Sequence, residues 1–475
     1  MAEEKKKNTW GGAREGAGRP KKESTPTPPD SVGQNGSGVS PEEEVSPYIQ
    51  GYLECPHCTV HHKGVCVVKN NPCACDSCKN GKKMSLAELV EEFEKYRYLY
   101  DREALEIACA SMIANFIGDA YPVWLLLIGR SSGGKTQFLE LFRNHDKTQF
   151  ESKMTGKTMF SGLEGAKDKI FEFNDKIVII KDLAPMQAGK NEDLKEIVLV
   201  LRDAYDGEGD WAWGSKKADV HWEGKFGLVA ASTTAIDIDM WKFKALGERY
   251  IRVDLTDNDE IEDNLADIAV HDRKGIRAGK ALRLAGCAFL NKYIPEAEKF
   301  HADNLIEISE EKLEQIKLMC QAGALLRTAV NTSGEKKTIL PTEPEASPRL
   351  IHQIRTLCEG LAIINDRDHV NEHDIQLALR VSYDGIPTRR RKVVKALLAG
   401  LSGTNEIASF IGSNSTTTSR ELQELQEINA VNKVGGKWEL RERVEEWIEM
   451  SGLVRRIMAT DLTKLEPKAV RDEVA

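Results

Sequence analysis

The residues best suited to chemistry are Lys135 and Thr136, which end the stretch GRSSGGKT. This stretch fits the pattern G-x-x-x-x-G-K-[ST], in which backbone N–H groups of a glycine-rich loop surround phosphate groups. The lysine reaches the β- and γ-phosphates, and the threonine hydroxyl binds Mg²⁺. We therefore expect ATP and Mg²⁺ to bind at Gly129, Arg130, Ser131, Ser132, Gly133, Gly134, Lys135 and Thr136.

A strand and a helix must position this loop, and the sequence supplies both. The apolar run VWLLLI, residues 123–128, precedes the glycines, and TQFLELF follows them with helical spacing. The order strand, loop, helix distinguishes a phosphate loop from a chance glycine-rich turn. Three further apolar runs, at 176–180, 226–231 and 249–254, predict that the loop belongs to an α/β domain.

Polar residues beside the other predicted strands are candidate catalytic groups. Asp182 follows the run IVII and could hold Mg²⁺ or polarise the attacking water, unless it only caps the next turn. Thr233 follows the run GLVAAS and could sense the γ-phosphate, although strand ends often carry Ser or Thr for turn geometry. Arg249 begins the last run and could act on a neighbouring subunit's nucleotide or form a surface ion pair.

A cysteine cluster precedes the α/β domain and predicts a metal site. Six of the ten cysteines lie between residues 55 and 78. Two CxxC pairs with the spacing of a four-thiolate zinc site are formed by Cys55, Cys58, Cys75 and Cys78. We predict one Zn²⁺ there, with a second ion or an exchanged ligand left open at Cys66, Cys73, His61 and His62.

Residues 208–225 have the pattern of a β-hairpin that could contact nucleic acid. Polar residues alternate with tryptophans, and Gly-Ser-Lys-Lys provides a turn with Lys216 and Lys217 near the tip. The lysines could bind successive DNA phosphates, or the turn could simply be solvated. Stacking on bases and packing across the hairpin are both open for Trp211, Trp213 and Trp222.

The order helix, helix, helix, hairpin over residues 387–445 predicts a winged helix. Its recognition helix would be TTTSRELQELQEI, and Gly435-Gly436 would form the tip of the wing. A basic stretch, PTRRRKVVKALL, precedes it. Winged helices also serve as protein docking modules. If this one binds DNA, the recognition helix would present Thr416, Ser419 and Arg420, together with Ser415 and Thr418.

Composition and sequence pattern predict how the 475-residue chain is divided into segments. A net charge of −9 restricts nucleic-acid contact to local basic patches, and a tail segment, GGAREGAGRPKK, resembles a minor-groove hook. The absence of a long apolar segment or signal peptide predicts a cytoplasmic protein without membrane contact. The predicted divisions are a disordered tail (1–50), zinc segment (51–83), helical linker (84–118), α/β core (119–265), helical region (266–386), winged helix (387–445) and second tail (446–475).

The order of these motifs resembles that of the AAA+ ATPases, and within them the MCM-like helicase branch. The motifs GRSSGGKT, IKD, TTAID and GER follow one another as they do in that branch, and in ATPases of phages and bacterial mobile elements. The resemblance covers about residues 100–445. It implies an ATPase core with a helical lid, a ring that is usually a hexamer, and ATP bound between subunits.

The resemblance also implies roles for single residues. Lys135 and Thr136 match the Walker A pair, Asp182 falls in the Walker B region, and Thr233 stands at sensor 1, which is usually Asn in this branch. Arg249 matches the arginine finger. Arg349, which begins the lid segment SPRLIHQIRTLCEGLAI, matches the sensor 2 arginine.

One departure from the family concerns the Walker B motif. It usually ends in Asp-Glu, whereas this chain has Lys181-Asp182. Either Asp182 binds the metal and another group activates water, or the reverse, and the other candidate carboxylates are Glu164, Asp203 and Asp206.

These features lead us to expect a hexameric, MCM-like replicative DNA helicase. A DNA-bound ATP switch, such as an initiator, loader or transposition regulator, is the alternative that the Walker B departure favours. A non-enzymatic DNA-binding adaptor is a third reading, and the matched Lys135, Thr136, Arg249 and Arg349 argue against it.

Overall fold

Five parallel strands form the central sheet of the computed structural model, in the spatial order β2-β3-β6-β1-β7. The structure describes residues 83–131, 133–152, 154, 159, 168–183, 191–211, 220–234, 249–256, 259–271, 275–333 and 338–459. The sheet strands are β1 (Trp124–Ile128), β2 (Thr148–Glu151), β3 (Ile177–Ile180), β6 (Gly227–Ser232) and β7 (Tyr250–Asp254). Three antiparallel pairs are β4 (Glu208–Trp211) with β5 (Val220–Glu223), β8 (Thr332–Ser333) with β9 (Thr338–Ile339), and β10 (Val431–Val434) with β11 (Lys437–Leu440).

Helices flank the sheet and make up most of the C-terminal half of the described chain. Those up to the end of the core are α1 (Leu86–Glu94), α2 (Arg102–Ala114), α3 (Lys135–Glu140), α4 (Ile170–Phe173), α5 (Asn191–Asp206) and α6 (Asp259–His271). They are followed by α7 (Gly275–Ala297), α8 (Glu310–Arg327), α9 (Pro348–Ile364), α10 (Glu372–Asp384), α11 (Thr388–Leu398), α12 (Thr404–Phe410), α13 (Ser415–Glu427), α14 (Glu442–Met450) and α15 (Leu453–Ala459).

The α/β prediction is confirmed for the core. Strands β1, β3, β6 and β7 each lie within one residue of the four predicted runs. Every residue of β1, β3 and β6 is buried, as expected for parallel strands covered on both faces. The sequence did not predict β2, whose residues TQFE are mostly half-buried at the edge of the sheet.

Helix α9 packs closely on α2, and this contact joins the C-terminal helices to the core. A Cβ atom at Gly360 of α9 would lie 2.6 Å from the carbonyl oxygen of Ala110 in α2. Only glycine therefore permits this approach of the two backbones. Nearly all of α2 is buried, so it is a central helix. A capping box formed by Ser85 and Glu88 begins the preceding helix α1.

The predicted order of elements after residue 387 is also observed. Helices α11, α12 and α13 are followed by the β10–β11 hairpin. Its turn consists of Gly435 and Gly436 with φ values of 58° and 83°, which suit a two-residue hairpin turn. None of the helices that the structure describes is both long enough and apolar enough to cross a membrane.

Candidate nucleotide site

The glycine-rich loop lies between the end of β1 and the start of α3, as predicted. Gly134 caps the helix with a φ of 84°, a left-handed value that glycine adopts without strain. A Cβ atom at this position would lie 3.3 Å from the ring of Tyr100. A larger residue would therefore be strained in its backbone and crowded by the tyrosine.

Lys135 is buried within this loop, with only 8% of its surface exposed. Its Nζ donates hydrogen bonds to the carbonyl oxygens of Gly129, at 2.7 Å, and Arg130, at 2.5 Å. Burial lowers the pKa of Lys135, and the negative charge of Asp182 opposes that shift. The ammonium group thus lies in the loop, close enough to Asp182 for the two charges to interact.

The carboxyl ends of β1, β3 and β6 meet at the same edge of the sheet. Ser232 ends β6, and its carbonyl oxygen accepts a hydrogen bond from the Gly129 N–H at 3.3 Å. The next residue, Thr233, is half-buried, whereas Asp182, which follows β3, is exposed. The structure thus brings four predicted residues to this edge: Lys135, Thr136, Asp182 and Thr233.

Lys181, which follows β3 and precedes Asp182, forms an ion pair with Glu140 of α3. Arg283 Nη2 and Arg143 Nε each lie 2.9 Å from the same carboxylate. Burial alone would raise the pKa of Glu140, but Lys181, Arg143 and Arg283 together lower it. Lys181 is therefore engaged with the helix that follows the loop, and Asp182 is the acid at this strand end.

Arg249 and Arg349 lie close to each other. Arg249 is buried, its Nη2 lies 2.7 Å from Asp206 Oδ2, and its guanidinium carbon lies 5.5 Å from the centre of the Tyr205 ring. Its carbonyl oxygen accepts a 2.6 Å hydrogen bond from Gln353 Nε2 of α9, the helix in which Arg349 lies. Burial lowers the pKa of Arg249, Asp206 opposes this, and the charge of Arg349 adds to the lowering.

This arginine pair lies at the amino-terminal ends of the parallel strands, whereas the glycine-rich loop lies at their carboxyl ends. Arg249 precedes Tyr250, which pairs with Trp124 at the amino end of β1, whereas the loop follows Ile128 at the other end. Five residues of strand separate the two edges by about 17 Å. The arginines are therefore remote from Lys135 of the same chain.

The same geometry bears on which carboxylate could activate water. Asp203 and Asp206 both lie on α5. The charge of Asp206 raises the pKa of both Arg249 and Asp203. They are therefore at the wrong edge to serve the loop of their own chain. Glu164 lies outside the described residues. Among the described candidate carboxylates, Asp182 is the one whose charge raises the pKa of Lys135.

The antiparallel pairing of β4 with β5 confirms the stem of the predicted hairpin, and Trp211 and Trp222 are packed in or against the core. Trp222 is fully buried, and its Nε1 donates a 2.9 Å hydrogen bond to Asn174 Oδ1. Trp211 packs against the core and covers Gly209, where a Cβ atom would lie 2.0 Å from its ring. Base stacking by Trp222 is therefore excluded. The outer face of the stem is exposed and carries Glu208, Asp210, His221 and Glu223.

The residues predicted to contact DNA are only partly described. Lys216 and Lys217, predicted near the hairpin tip, and Trp213 lie outside the described residues. In α13, Thr416 is exposed, while Ser419 and Arg420 are half-buried, and Arg420 Nε lies 3.1 Å from Glu424 Oε1. The prediction that Thr418 faces DNA is wrong, because it is buried and donates a 3.0 Å hydrogen bond to the Asn414 carbonyl.

The basic stretch before α12 is largely internal. Arg390, Arg391 and Lys392 are buried, and Arg389 alone of this run of four is exposed. Arg390 Nε lies 3.0 Å from Glu421 Oε1 of α13, and its Nη1 donates to the carbonyl oxygens of Leu326 and Thr328. These side chains therefore join helices.

Sequence reasoning missed Tyr100 and Asp101, which lie beside the loop. The Tyr100 hydroxyl donates a hydrogen bond to the Gly133 carbonyl oxygen. Asp101 is buried, caps α2 and pairs with Arg380 of α10 at 2.6 Å. An Asp one residue before a helix is a capping signal. Its pairing with a residue 279 positions away has no signal in one sequence.

Neither a family model nor a curated relative assigns a role to this site. A scan against models of protein families finds no match, and a search of the curated proteins finds none either. The predicted zinc ligands Cys55, Cys58, Cys75 and Cys78 lie outside the described residues, as does Ser132 of the loop. The site is therefore interpreted from its own geometry.

Proposed function

We propose that the protein is an ATP-dependent DNA motor, a hexameric MCM-like AAA+ helicase of the kind found in phages and mobile elements. The observation that carries this proposal is the meeting of Lys135, Thr136, Asp182 and Thr233 at one edge of a parallel sheet, around a G-x-x-x-x-G-K-[ST] loop. Phosphoryl transfer needs these parts: a phosphate-binding backbone, a lysine, and oxygen ligands for Mg²⁺.

The chain's own residues suggest how the site would work. Lys135 would exchange its bonds to the carbonyls of Gly129 and Arg130 for bonds to phosphate oxygens. Thr136 and Asp182 would hold Mg²⁺, which stabilises charge on the phosphates. Thr233 beside the loop would orient the attacking water.

A ring is supported by the position of the two arginines. Arg249 and Arg349 lie together at the edge opposite the loop, so they cannot complete the site of their own chain. We propose a head-to-tail assembly in which that edge faces the loop of the next subunit; such heterologous contacts form a ring when the rotation between subunits closes. Arg349, which is half-buried, would stabilise the negative charge of the reacting phosphates there, whereas Arg249 is buried and paired with Asp206.

DNA contact is assigned to the hairpin tip and to α13. Lys216 and Lys217 would bind backbone phosphates, and a salt-dependent affinity is expected from such contacts. If the α11–α13 and β10–β11 module is a winged helix, α13 would present Thr416, Ser419 and Arg420. The Zn²⁺ assignment rests on the CxxC spacing, and zinc would mainly fold residues 51–83.

The experiment that tests the proposal measures ATP hydrolysis and strand displacement by the full-length protein, with and without DNA. We expect both activities in the wild type and in Lys317→Ala, since Lys317 is an exposed surface residue paired with Glu314. We expect neither in Lys135→Ala. Absence of nucleotide binding by the wild type, or full activity of Lys135→Ala, would refute the proposal.

The second candidate is an ATP-gated, DNA-bound switch without unwinding activity. The ion pair of Lys181 with Glu140 favours it, because a cation stands where the family has a metal-binding acid. A switch of this kind would assemble on DNA when ATP is added but turn over slowly. ATP-dependent assembly on DNA without strand displacement would select it over the motor.

A further inference from the structure

We propose that Tyr100 is a positioning residue of the nucleotide loop and that Tyr100 and Asp101 together couple this loop to helices α10 and α11. The inference rests on the proposed function, since it requires that the loop binds ATP. It assigns a role to two consecutive residues that lie outside the G-x-x-x-x-G-K-[ST] motif and its partner strands.

The contact between Tyr100 and the loop has two parts. The hydroxyl donates a hydrogen bond to the carbonyl oxygen of Gly133. The ring lies against Gly134, where a Cβ atom would be 3.3 Å from Cε1 and 3.4 Å from the hydroxyl oxygen. The ring also stacks on Phe138 of α3, with centroids 6.4 Å apart. Tyr100 therefore contacts the loop and the helix that follows it.

This hydrogen bond fixes the orientation of a peptide that a phosphate would use. The Gly133 carbonyl and the Gly134 N–H belong to one planar trans peptide, so they point in opposite directions. Holding the oxygen on the tyrosine side directs the N–H away from Tyr100. Glycine peptides rotate easily, and an external anchor therefore organises the donor before a phosphate arrives.

Asp101, the next residue, is held by the C-terminal helices. Its carboxylate receives two hydrogen bonds from Arg380 of α10, at 2.7 and 2.6 Å. It also accepts a 2.8 Å hydrogen bond from the N–H of Thr256, which follows β7. Both Asp101 and Arg380 are buried. A displacement of Tyr100 would therefore strain a charge pair that is shielded from water.

The connection continues from α10 into α11. Arg380 and Arg391 both contact Asp384, at 3.5 and 3.3 Å. Arg391 also pairs with Asp254, at the end of β7, at 2.5 Å. The preceding residue, Arg390, pairs with Glu421 of α13 at 3.0 Å. A continuous set of buried and half-buried contacts thus extends from the glycine-rich loop to the helix predicted to contact DNA.

The experiment compares hydrogen exchange of residues 372–398, with and without saturating ATP, in full-length variants. Tyr100→Phe removes the hydroxyl and retains the ring. Tyr98→Phe is the matched control, since Tyr98 is equally half-buried but its hydroxyl accepts from Asn264 at 3.3 Å. Asp101→Asn is the third variant, because Asn also caps helices well and Arg380 keeps Glu103 and Asp384 as partners.

We expect ATP to slow exchange in α10 and α11 by about fivefold or more in the wild type and Tyr98→Phe. Tyr100→Phe should bind ATP about fivefold more weakly, the usual effect of one hydrogen bond. At saturating ATP, Tyr100→Phe should lose the exchange response. Asp101→Asn should also lose it but keep near-normal ATP affinity, which a merely destabilised protein would not do.

Two results would overturn the inference and are distinguishable from each other. If the wild type binds no ATP, the proposed function fails and this inference fails with it. If the wild type binds ATP but exchange in α10 and α11 does not respond, or responds equally in Tyr100→Phe and Tyr98→Phe, only the coupling role is refuted.

Discussion

Lys181 at the end of β3 forms an ion pair with Glu140 of α3, so the positive charge beside Asp182 is neutralised within the molecule. The pair links the strand that carries Asp182 to the helix that begins with Lys135. Glu140 also meets Arg143 and Arg283. The carboxylate is therefore shared by three cations, whereas Lys181 pairs with Glu140.

The first prediction follows from that asymmetry. Glu140→Gln should lower the free energy of unfolding by about 1–2 kcal/mol, because three cations lose a mostly buried carboxylate. Lys181→Met should cost less than about 1 kcal/mol, because Lys181 is 36% exposed and Glu140 keeps two arginines. Urea denaturation of both variants measures the difference. Equal losses would contradict the arrangement.

The second prediction concerns the sharing of the site between subunits. Lys135→Ala and Arg349→Ala should each be inactive alone, since each removes one side of every shared site. When the two are mixed in equal amounts, about a quarter of the interfaces combine an intact Lys135 with an intact Arg349. ATPase assays on the mixture should therefore recover about a quarter of wild-type activity.

A mixture of Lys135→Ala with the double variant Lys135→Ala/Arg349→Ala is the control for this recovery. It contains no intact lysine and should stay inactive. If the first mixture also stays inactive although the subunits co-assemble, the arginine does not act across an interface. Arg349 is preferred to Arg249 here, because Arg249 is buried and pairs with Asp206.

The third prediction is a pH dependence of stability due to Lys225. Burial lowers its pKa from 10.5 to about 8, against the opposing charges of Asp119 and Asp175. Between these values the unfolded chain binds more protons than the folded protein, so stability from this group rises with pH. Relative to Lys225→Arg, which stays charged, wild type should gain about 2 kcal/mol between about pH 7.5 and pH 10.

Chemical denaturation across that pH range measures the gain. A difference between the two proteins that does not change with pH would show that Lys225 is not desolvated in the fold. The hydrogen bond from Lys225 Nζ to the Ile117 carbonyl, at 3.0 Å, is the contact that holds the side chain inside.

The fourth prediction compares two neighbouring arginines of α11. Arg391 is buried and pairs with Asp254 and Asp384, so Arg391→Met should lower the free energy of unfolding by about 3–5 kcal/mol. Arg389 is exposed, and Arg389→Met should change it by less than about 0.5 kcal/mol. Thermal or urea unfolding distinguishes them, and similar effects would contradict the buried network.

Much of the core could be predicted because parallel strands leave a strong signal. A strand buried on both faces needs a continuous or nearly continuous apolar run. Strands β1, β3, β6 and β7 each have such a run. Strand β2 has the sequence TQFE and lies at the sheet edge, where half-burial suffices. Its residues therefore carry no pattern that distinguishes them from a loop.

Contacts between distant charges could not be predicted. Arg390 and Arg391 have the composition of a nucleic-acid surface, yet their partners come from β7, α8, α10 and α13. A charged residue's partner depends on the tertiary fold, which one sequence does not encode as a local pattern. The same reason explains why the link between Asp101 and Arg380 was missed, although the strand-end residues were found.

The stem of the β4–β5 hairpin has an outer face of three carboxylates and one histidine, all exposed. A polyanion lying along this stem would be repelled by Glu208 and Glu223, which face each other, whereas Asp210 is paired with His221 at 2.9 Å. A nucleic acid bound by the proposed hairpin would therefore not lie against the Glu208 and Glu223 end of the stem.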